Sequence, residues 1–278
     1  MRLPQFYVDD LIKTALREDI NYIDVTTDLM IPEDARGQAR FIAKENGVLC
    51  GLDVALRVFE LLDGSFKAEV YKKDGDMVNP GDLIAEMTGK IRGLLKGERT
   101  ALNLLQHMSG IATQTRRCVE IVKGTKATIT DTRKTLPGLR PLQKYAVAVG
   151  GGRNHRFNLS DGAMLKDNHI DAAGGITAAV AAIRKQLGHM VNLEVETRNL
   201  DEVREAINAG ADIVMLDNMD IQTMKAAVEL AAGRVLLEAS GGITEGTLRA
   251  VAETGVDIIS LGALTHSVKA LDISMKIK

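Results

Sequence analysis

The residues best equipped for chemistry sit where short apolar runs end. One stretch, DTRKTLPGLRPLQKYAVAVGGGRNHRFNLSDGAMLKDNHI (131–170), is dense with them. From Thr132 to Ile170 it holds Arg133, Lys134, Arg140, Lys144, Arg153, Arg156 and Lys166 against only Asp161 and Asp167, a local charge of +5 in a chain of formal net charge −2. Gly150, Gly151, Gly152 and apolar residues interleave with these cations, a mixture that suits a pocket for a small, strongly anionic ligand better than a solvated face. Arginine forks hold carboxylates through paired bonds, and lysine adds a compact charge. Together Arg133, Lys134, Arg156 and Lys166 have the capacity to bind a dicarboxylate and a diphosphate. His155 reads either as an extra donor or as a satisfied structural histidine. His169, in KDNHI, reads as a helix cap or supporting residue, and His107, His189 and His266 have no local context that singles them out.

Two further groups stand at run ends. Glu196 closes VNLEVE and Asp217 closes DIVMLD; two such carboxylates can hold Mg²⁺, directly or through water, or bind ribose hydroxyls. The alternative is a salt bridge to Lys166 or Arg133. Ser240-Gly241-Gly242 precedes a helix whose expected N-cap is Thr244. A glycine turn at that place exposes backbone N–H groups to a phosphate, with help from the helix dipole. Gly262-Ala263 would complete the cup, unless these glycines only make tight turns.

These groups need a scaffold that brings run ends together. After residue 125 the chain alternates apolar strands with helices. The strands are expected at ATITD (127–131), GAMLKD (162–167), VNLEVE (191–196), DIVMLD (212–217), RVLLEA (234–239) and DIISLG (257–262). Helices fit between them in GITAAVAAIRKQL, LDEVREAINAG, DIQTMKAAVELA and EGTLRAVAETG. Repeated β–α units imply a parallel sheet buried by helices. Six strands fall short of the usual eight of a closed barrel, so an incomplete parallel α/β barrel is expected, with its chemistry at the carboxyl ends of the strands. A doubly wound open sheet is the alternative, but no GxGxxG fingerprint supports it.

The first hundred residues read differently. Val8, Leu11, Ile12, Ala15 and Leu16 form one helical stripe. DVTTDLMIP reads as a turn into a short strand ended by Pro32, and RGQARFIAKENGVLCGL as a strand pair broken at the hairpin dipeptide Asn46-Gly47. LDVALRVFELL is a helix. FKAEVYKKDGDMVNPGDLIAEMTG has the turn pattern of a biotinyl-carrier domain but lacks the modifiable Met-Lys-Met, so it reads as β-rich scaffold. Lys96 to Val122 is helical, with a break expected near Gly110. Arg99, beside Glu98, reads from its surroundings as a surface charge.

Composition sets limits. A chain of 278 residues, 45% hydrophobic and 26% charged, has the balance of a globular protein. No apolar run reaches the roughly 18 residues of a membrane helix, and the acidic start is unlike a secretory signal. Cys50 and Cys118 read as reduced thiols rather than a disulfide frame or metal site. Near-neutral charge excludes general nucleic-acid binding, which demands a basic surface.

The motifs DTRKTLPGLRPLQKYAV, GGGRNHRFNLSDGAMLKDNHI, LEVET, MLDNM, EASGGI and SLGALTHS, with REDxxxxDVTTD and ERTALNLLQHMSGIAT upstream, resemble quinolinate phosphoribosyltransferase over most of the chain. The resemblance implies a type II phosphoribosyltransferase-like fold. That means an amino-terminal α/β sandwich at 1–108, completed by 268–278, and an incomplete α/β barrel at 109–267. It implies transfer of phosphoribose from phosphoribosyl pyrophosphate to quinolinate with Mg²⁺, giving nicotinate mononucleotide, pyrophosphate and CO₂ in NAD biosynthesis in the cytoplasm. It also implies a homodimer, or a higher oligomer, in which Arg99 reaches the partner's site. Substrate contacts then fall on Arg99, Thr132, Arg133, Lys134, His155, Arg156 and Lys166, with Lys134, Lys166, Glu196 and Asp217 in catalytic roles. Ribose and metal acids fall on Glu196 and Asp217, and phosphate contacts on Ser240, Gly241, Gly242, Leu261, Gly262 and Ala263. One departure is visible: relatives often carry Gly-Asp before the early Thr-Thr, whereas Ile23 precedes Asp24 here. A sister enzyme using another acceptor and a non-catalytic phosphosugar-binding protein are the rival readings.

Overall fold

The computed structural model describes residues 3–277. The chain divides into two compact units, one of Met1–Arg116, Thr135–Gly151 and Leu264–Lys278, the other of Arg117–Lys134 and Gly152–Ala263. The expected cut at 108/109 therefore differs from the observed division. Residues 135–151 pack with the first unit because Leu142, Ala146 and Val147 bury there, and Gln143 donates to the Thr265 carbonyl at 3.0 Å.

The first unit opens with α1 (Gln5–Ile20), whose apolar stripe buries Val8, Ile12 and Leu16. The expected strand near Asp24 is instead a short helix, α2 (Val25–Met30). Asp24 explains it: its side chain accepts the Thr27 amide at 3.0 Å, satisfying a free N–H of the first turn. The Asn46-Gly47 hairpin is also not formed. β1 (Arg36–Ala43) pairs on one side with β5 (Leu83–Lys90) and on the other with β12 (Ile273–Ile277), whereas β2 (Gly47–Val48) pairs with β4 (Met77–Val78). With β3 (Lys67–Val70) the main sheet runs β12-β1-β5-β3, all antiparallel. Phe41 of β1 is fully buried, as is Phe59 of α3 (Leu52–Leu62). α4 (Ile91–Val122) follows, and no break occurs at Gly110. The glycine is needed for another reason: a Cβ there would strike the Lys269 backbone carbonyl. α5 (Arg140–Val149) carries Arg140 and Lys144 in this unit, so these two of the seven cations of the basic run do not line the cavity described below.

The second unit is a six-stranded parallel sheet, ordered β6-β11-β10-β9-β8-β7. Its strands are β6 (Thr128–Thr130), β7 (Ala163–Leu165), β8 (Leu193–Thr197), β9 (Ile213–Asp217), β10 (Leu236–Ser240) and β11 (Ile258–Ser260). Each lies within the run expected for it or within a residue of it. β6 and β7 form the two edges, so the barrel is incomplete. Helices α6 (Asp167–Ala173), α7 (Ile176–Arg184), α8 (Leu200–Ala209), α9 (Ile221–Ala231) and α10 (Glu245–Ala252) follow the strands, and α11 (Ala263–His266), after β11, returns the chain to the first unit. Val195, Val214, Leu216 and Ala239 are wholly buried; burying each larger aliphatic side chain contributes about 1.5–3 kcal/mol. Side-chain caps start the helices sharply at the strand ends. Asn199 accepts the Glu202 amide at 2.9 Å, and Asp220 accepts the Thr223 amide at 2.7 Å.

Candidate active site

The carboxyl ends of these strands enclose a cavity of about 610 Å³. Thr132, Arg133 and Lys134 reach it from the end of β6, and Lys166 from the end of β7. Glu196 comes from β8, Asp217 from β9, and Ser240, Gly241 and Gly242 from β10 and the turn beyond it. His155 and Arg156 enter from the loop before β7. Eleven residues singled out from the sequence thus share one wall-to-wall site. Leu261, Gly262 and Ala263 follow β11 at the same end of the sheet but do not line it. Arg99 lies on α4 in the other unit, exposed to solvent, and is not a lining residue either.

Strand-end position explains how each side chain is aimed. The loop bearing His155 and Arg156 is pinned by Asp131, which is fully buried just past β6. Its carboxylate accepts the Asn154 side-chain amide at 2.6 Å and the His155 backbone N–H at 2.9 Å. The Arg156 guanidinium donates to the Gly162 carbonyl at 2.7 Å. Burial, reinforced by the nearby Arg133 charge, moves the Arg156 pKa down from its ordinary value, while Glu194 opposes that shift. Two cations forced so close store repulsion that an anionic ligand would relieve.

The Lys166 ammonium lies 3.1 Å from Glu196, so the salt-bridge alternative for Glu196 holds together with its strand-end placement. His169 accepts the Lys166 backbone N–H at 3.0 Å, the supporting role expected of it at the start of α6. Asp217 accepts a 2.9 Å bond from the Asn218 side chain. Asn218 adopts a left-handed backbone (φ 54°), and its N–H reaches the Ser240 carbonyl at 2.9 Å. Gly241 and Gly242 also have positive φ, 89° and 60°, and a Cβ on Gly241 would collide with the Asn218 amide. The phosphate-type turn and the Asp217 carboxylate are therefore one packed assembly. Thr244 caps α10 immediately after it, as expected.

Reading by strand ends alone passed over four residues that matter here: Asp131, Asn218, Glu194 and Glu238. Glu194 and Glu238 stand inside β8 and β10, only 4% and 2% exposed. A glutamate in the middle of a buried parallel strand was the available signal, because such strands otherwise read as unbroken apolar runs. His155 Nε2 lies 3.2 Å from Glu194 and 3.6 Å from Glu238. These three are the residues whose donor atoms converge closely enough to hold an ion, among the described residues. Glu196 and Asp217 offer two hard carboxylate ligands on adjacent strands, chemistry that fits Mg²⁺ completed by ligand oxygens. A second cavity, about 580 Å³, lies in the first unit beside Val8, Leu56 and Tyr145. Its one arginine, Arg57, is already bound to Asp9 through two nitrogens, so it lacks a converging set of cations.

A parallel barrel with convergent cations, paired strand-end carboxylates and a glycine turn defines an enzyme of the phosphosugar-handling class. The comparisons with known proteins agree. The quinolinate phosphoribosyl transferase N-terminal domain family matches residues 24–109, and the C-terminal domain family of the same name matches residues 111–276. The chain belongs to the quinolinate phosphoribosyltransferase family. A probable carboxylating nicotinate-nucleotide pyrophosphorylase of Bacillus subtilis (strain 168) is 49% identical, over 94% of this chain and 90% of that protein. The crystal structure of NadC from Streptococcus pyogenes superposes with a TM-score of 0.96 at 45% identity, covering 100% of this chain and 99% of that one. The nicotinate-nucleotide pyrophosphorylase structure from Francisella tularensis gives 0.95 at 42%, covering 100% and 98%. No helix among the described residues is long and apolar enough to cross a membrane.

Proposed function

We propose that this cavity binds quinolinate and phosphoribosyl pyrophosphate together and joins them. The chain is a carboxylating nicotinate-nucleotide pyrophosphorylase acting in NAD biosynthesis. It transfers phosphoribose to the pyridine nitrogen of quinolinate and yields nicotinate mononucleotide, pyrophosphate and CO₂. The observation that carries this reading is the division of the cavity wall. Arg133 past β6, Arg156 from the loop before β7 and Lys166 past β7 supply the counter-charges that a dicarboxylate needs. The acids and the glycine turn occupy β8 to β10, where a phosphosugar needs hydroxyl acceptors and backbone amides.

The chain's own contribution is positioning and electrostatics. Holding the ring nitrogen in line with the anomeric carbon makes the attack unimolecular. As pyrophosphate departs, positive charge builds on the ribose, and the Glu196 and Asp217 carboxylates of the cavity wall offset it. Mg²⁺, bound through Glu196 and Asp217 directly or through water, would neutralise the leaving pyrophosphate. Lys134 and Lys166 add cationic charge on the same wall. No protein nucleophile is required. Arg99 completes the dicarboxylate site from a second copy of the chain in a homodimer.

Release of pyrophosphate from phosphoribosyl pyrophosphate, measured with quinolinate and separately with nicotinate, tests the assignment. Turnover with quinolinate alone is expected. Turnover with nicotinate alone would shift the assignment to the sister activity, and turnover with neither would leave a phosphosugar-binding protein.

A further inference from the structure

The proposed reaction has a proton requirement that the arginines of the pocket do not meet. When the ribosylated ring loses its carboxylate at C2, the C2–carboxylate bond breaks and CO₂ leaves. The electron pair stays on C2, in the ring plane beside the cationic nitrogen. That carbanion must take up one proton to become nicotinate mononucleotide. Arg133 and Arg156 hold their protons too tightly to give one up. Lys166 is tied to Glu196 at 3.1 Å, with its side chain half exposed.

The cavity floor offers a different donor. Glu238 lines the cavity but is only 2% exposed, in the middle of β10. Three other acids or polar groups face it: Glu194 from β8, Asp131 from the end of β6 and the Ser260 hydroxyl from β11. Its neighbour on β9 is Met215, which brings no charge. The remaining neighbour, His155, has one ring nitrogen already committed. Nδ1 accepts the Arg156 backbone N–H at 2.7 Å, so Nε2 carries the ring proton and points it at Glu194, 3.2 Å away. Glu238 Oε2 lies farther from that proton, at 3.6 Å, and Oε1 has no hydrogen-bond partner among the described residues, although the Ser260 hydroxyl is near enough to favour its anion weakly. A carboxyl group so buried, beside other carboxylates and incompletely hydrogen-bonded, keeps its proton. Burial first, and then the Glu194 charge, push its pKa up to about 7 despite the opposing pull of His155 and Ser260.

We propose that Glu238 is the acid that protonates C2 after CO₂ has left. The proton on the Glu238 carboxyl passes to the C2 electron pair, Glu238 is left as a carboxylate, and water returns the proton before the next turnover. Glu194 and His155 are positioning residues in this step: the His155 Nε2 proton lies nearer Glu194, at 3.2 Å, than Glu238, at 3.6 Å. The step rests on the reaction proposed above.

Single-turnover mixing of Glu238→Gln with quinolinate and phosphoribosyl pyrophosphate separates the two halves of the reaction. Pyrophosphate is expected at a rate within about threefold of wild type, and nicotinate mononucleotide about 10²-fold or more slower, the usual worth of a general acid. Glu238→Asp, which keeps an acid, should recover part of the lost product formation. Product formation by Glu238→Gln at the wild-type rate would overturn the proposal. So would equal loss of both half-reactions in Glu238→Gln and Glu238→Asp, because that marks a structural role. A stoichiometric transition metal in the purified protein that Glu238→Gln abolishes would also overturn it, since the cluster would then hold a cation instead of a proton. Absence of any turnover by the wild-type chain would instead refute the underlying reaction and not the acid assignment.

Discussion

Lys166 and Arg133 show how individual side chains divide their work between fold and ligand. Lys166 sits at the end of β7 with its ammonium 3.1 Å from Glu196, an ion pair within the cavity wall. Arg133 lines the same wall and lies close enough to Arg156 to depress its pKa. Removing either cation leaves a substrate carboxylate short of one charge-assisted partner, a loss of about 1.5–3 kcal/mol. Arg133→Ala and Lys166→Ala should therefore each raise the KM for quinolinate by roughly 10- to 150-fold. Steady-state kinetics at saturating phosphoribosyl pyrophosphate checks this, and unchanged values in both variants would reject the pocket. Asp63 illustrates a purely structural charge. Burial works against its anion, but bonds from the Lys90 backbone N–H at 2.7 Å and from both Ser65 donors outweigh it and hold the pKa below the usual range. The folded chain thus binds this proton less readily than the unfolded chain. The stabilisation is full above the unfolded value of about 3.9 and disappears as pH falls through the lower folded value. Thermal unfolding of wild type and Asp63→Asn should accordingly differ most near neutral pH and converge only as pH falls through the lowered folded value.

Among the elements, the glycine turn after β10 is the most sharply specified. Gly241 has φ 89°, and its missing Cβ is the space that the Asn218 amide fills. Gly241→Ala must force a left-handed backbone, costing about 1–2 kcal/mol, and must displace the side chain that orients Asp217. The KM for phosphoribosyl pyrophosphate is expected to rise at least about tenfold, while binding of quinolinate alone, followed by calorimetry, stays near wild type; equal loss of both would place the turn's role elsewhere. Such an assembly was only half legible in the sequence. The strands of the parallel sheet announce themselves because both faces are buried, and the residue after each apolar run is then placed by geometry. Asn218 could not be read in the same way: its role depends on a neighbour 23 positions away on the next strand, at Gly241. The antiparallel sheet was harder for a related reason. β1 takes its partners from β5 and from β12 at the far end of the chain, so the local Asn46-Gly47 signal pointed to a hairpin that long-range pairing overrides. Gly110 misled in the opposite direction. Its small size serves a close approach by the Lys269 carbonyl, and the surrounding helix is strong enough to carry it.

For the whole molecule the open question is whether one chain makes a complete site. The cavity supplies Arg133, Arg156, Lys134 and Lys166 from its own unit, whereas Arg99 is exposed on α4 and belongs to the other unit. If Arg99 acts in a second copy, then a chain lacking it still owns an intact cavity, and a chain lacking Lys166 still owns an intact Arg99. Each single-variant dimer, Arg99→Ala or Lys166→Ala, has two damaged sites and should be nearly inactive. A hybrid of the two restores one site: the Arg99→Ala chain contributes the cavity with Lys166, and its partner contributes Arg99. The hybrid's other site carries both losses. Random exchange makes about half of the dimers hybrid, each with one working site of two, so activity should recover to about one quarter of wild type. Mixing the two variants, verifying subunit exchange by differential mass labelling and assaying pyrophosphate release gives the answer directly. Recovery near that level requires donation between copies, whereas exchange without recovery means that Arg99 serves its own chain or no site at all.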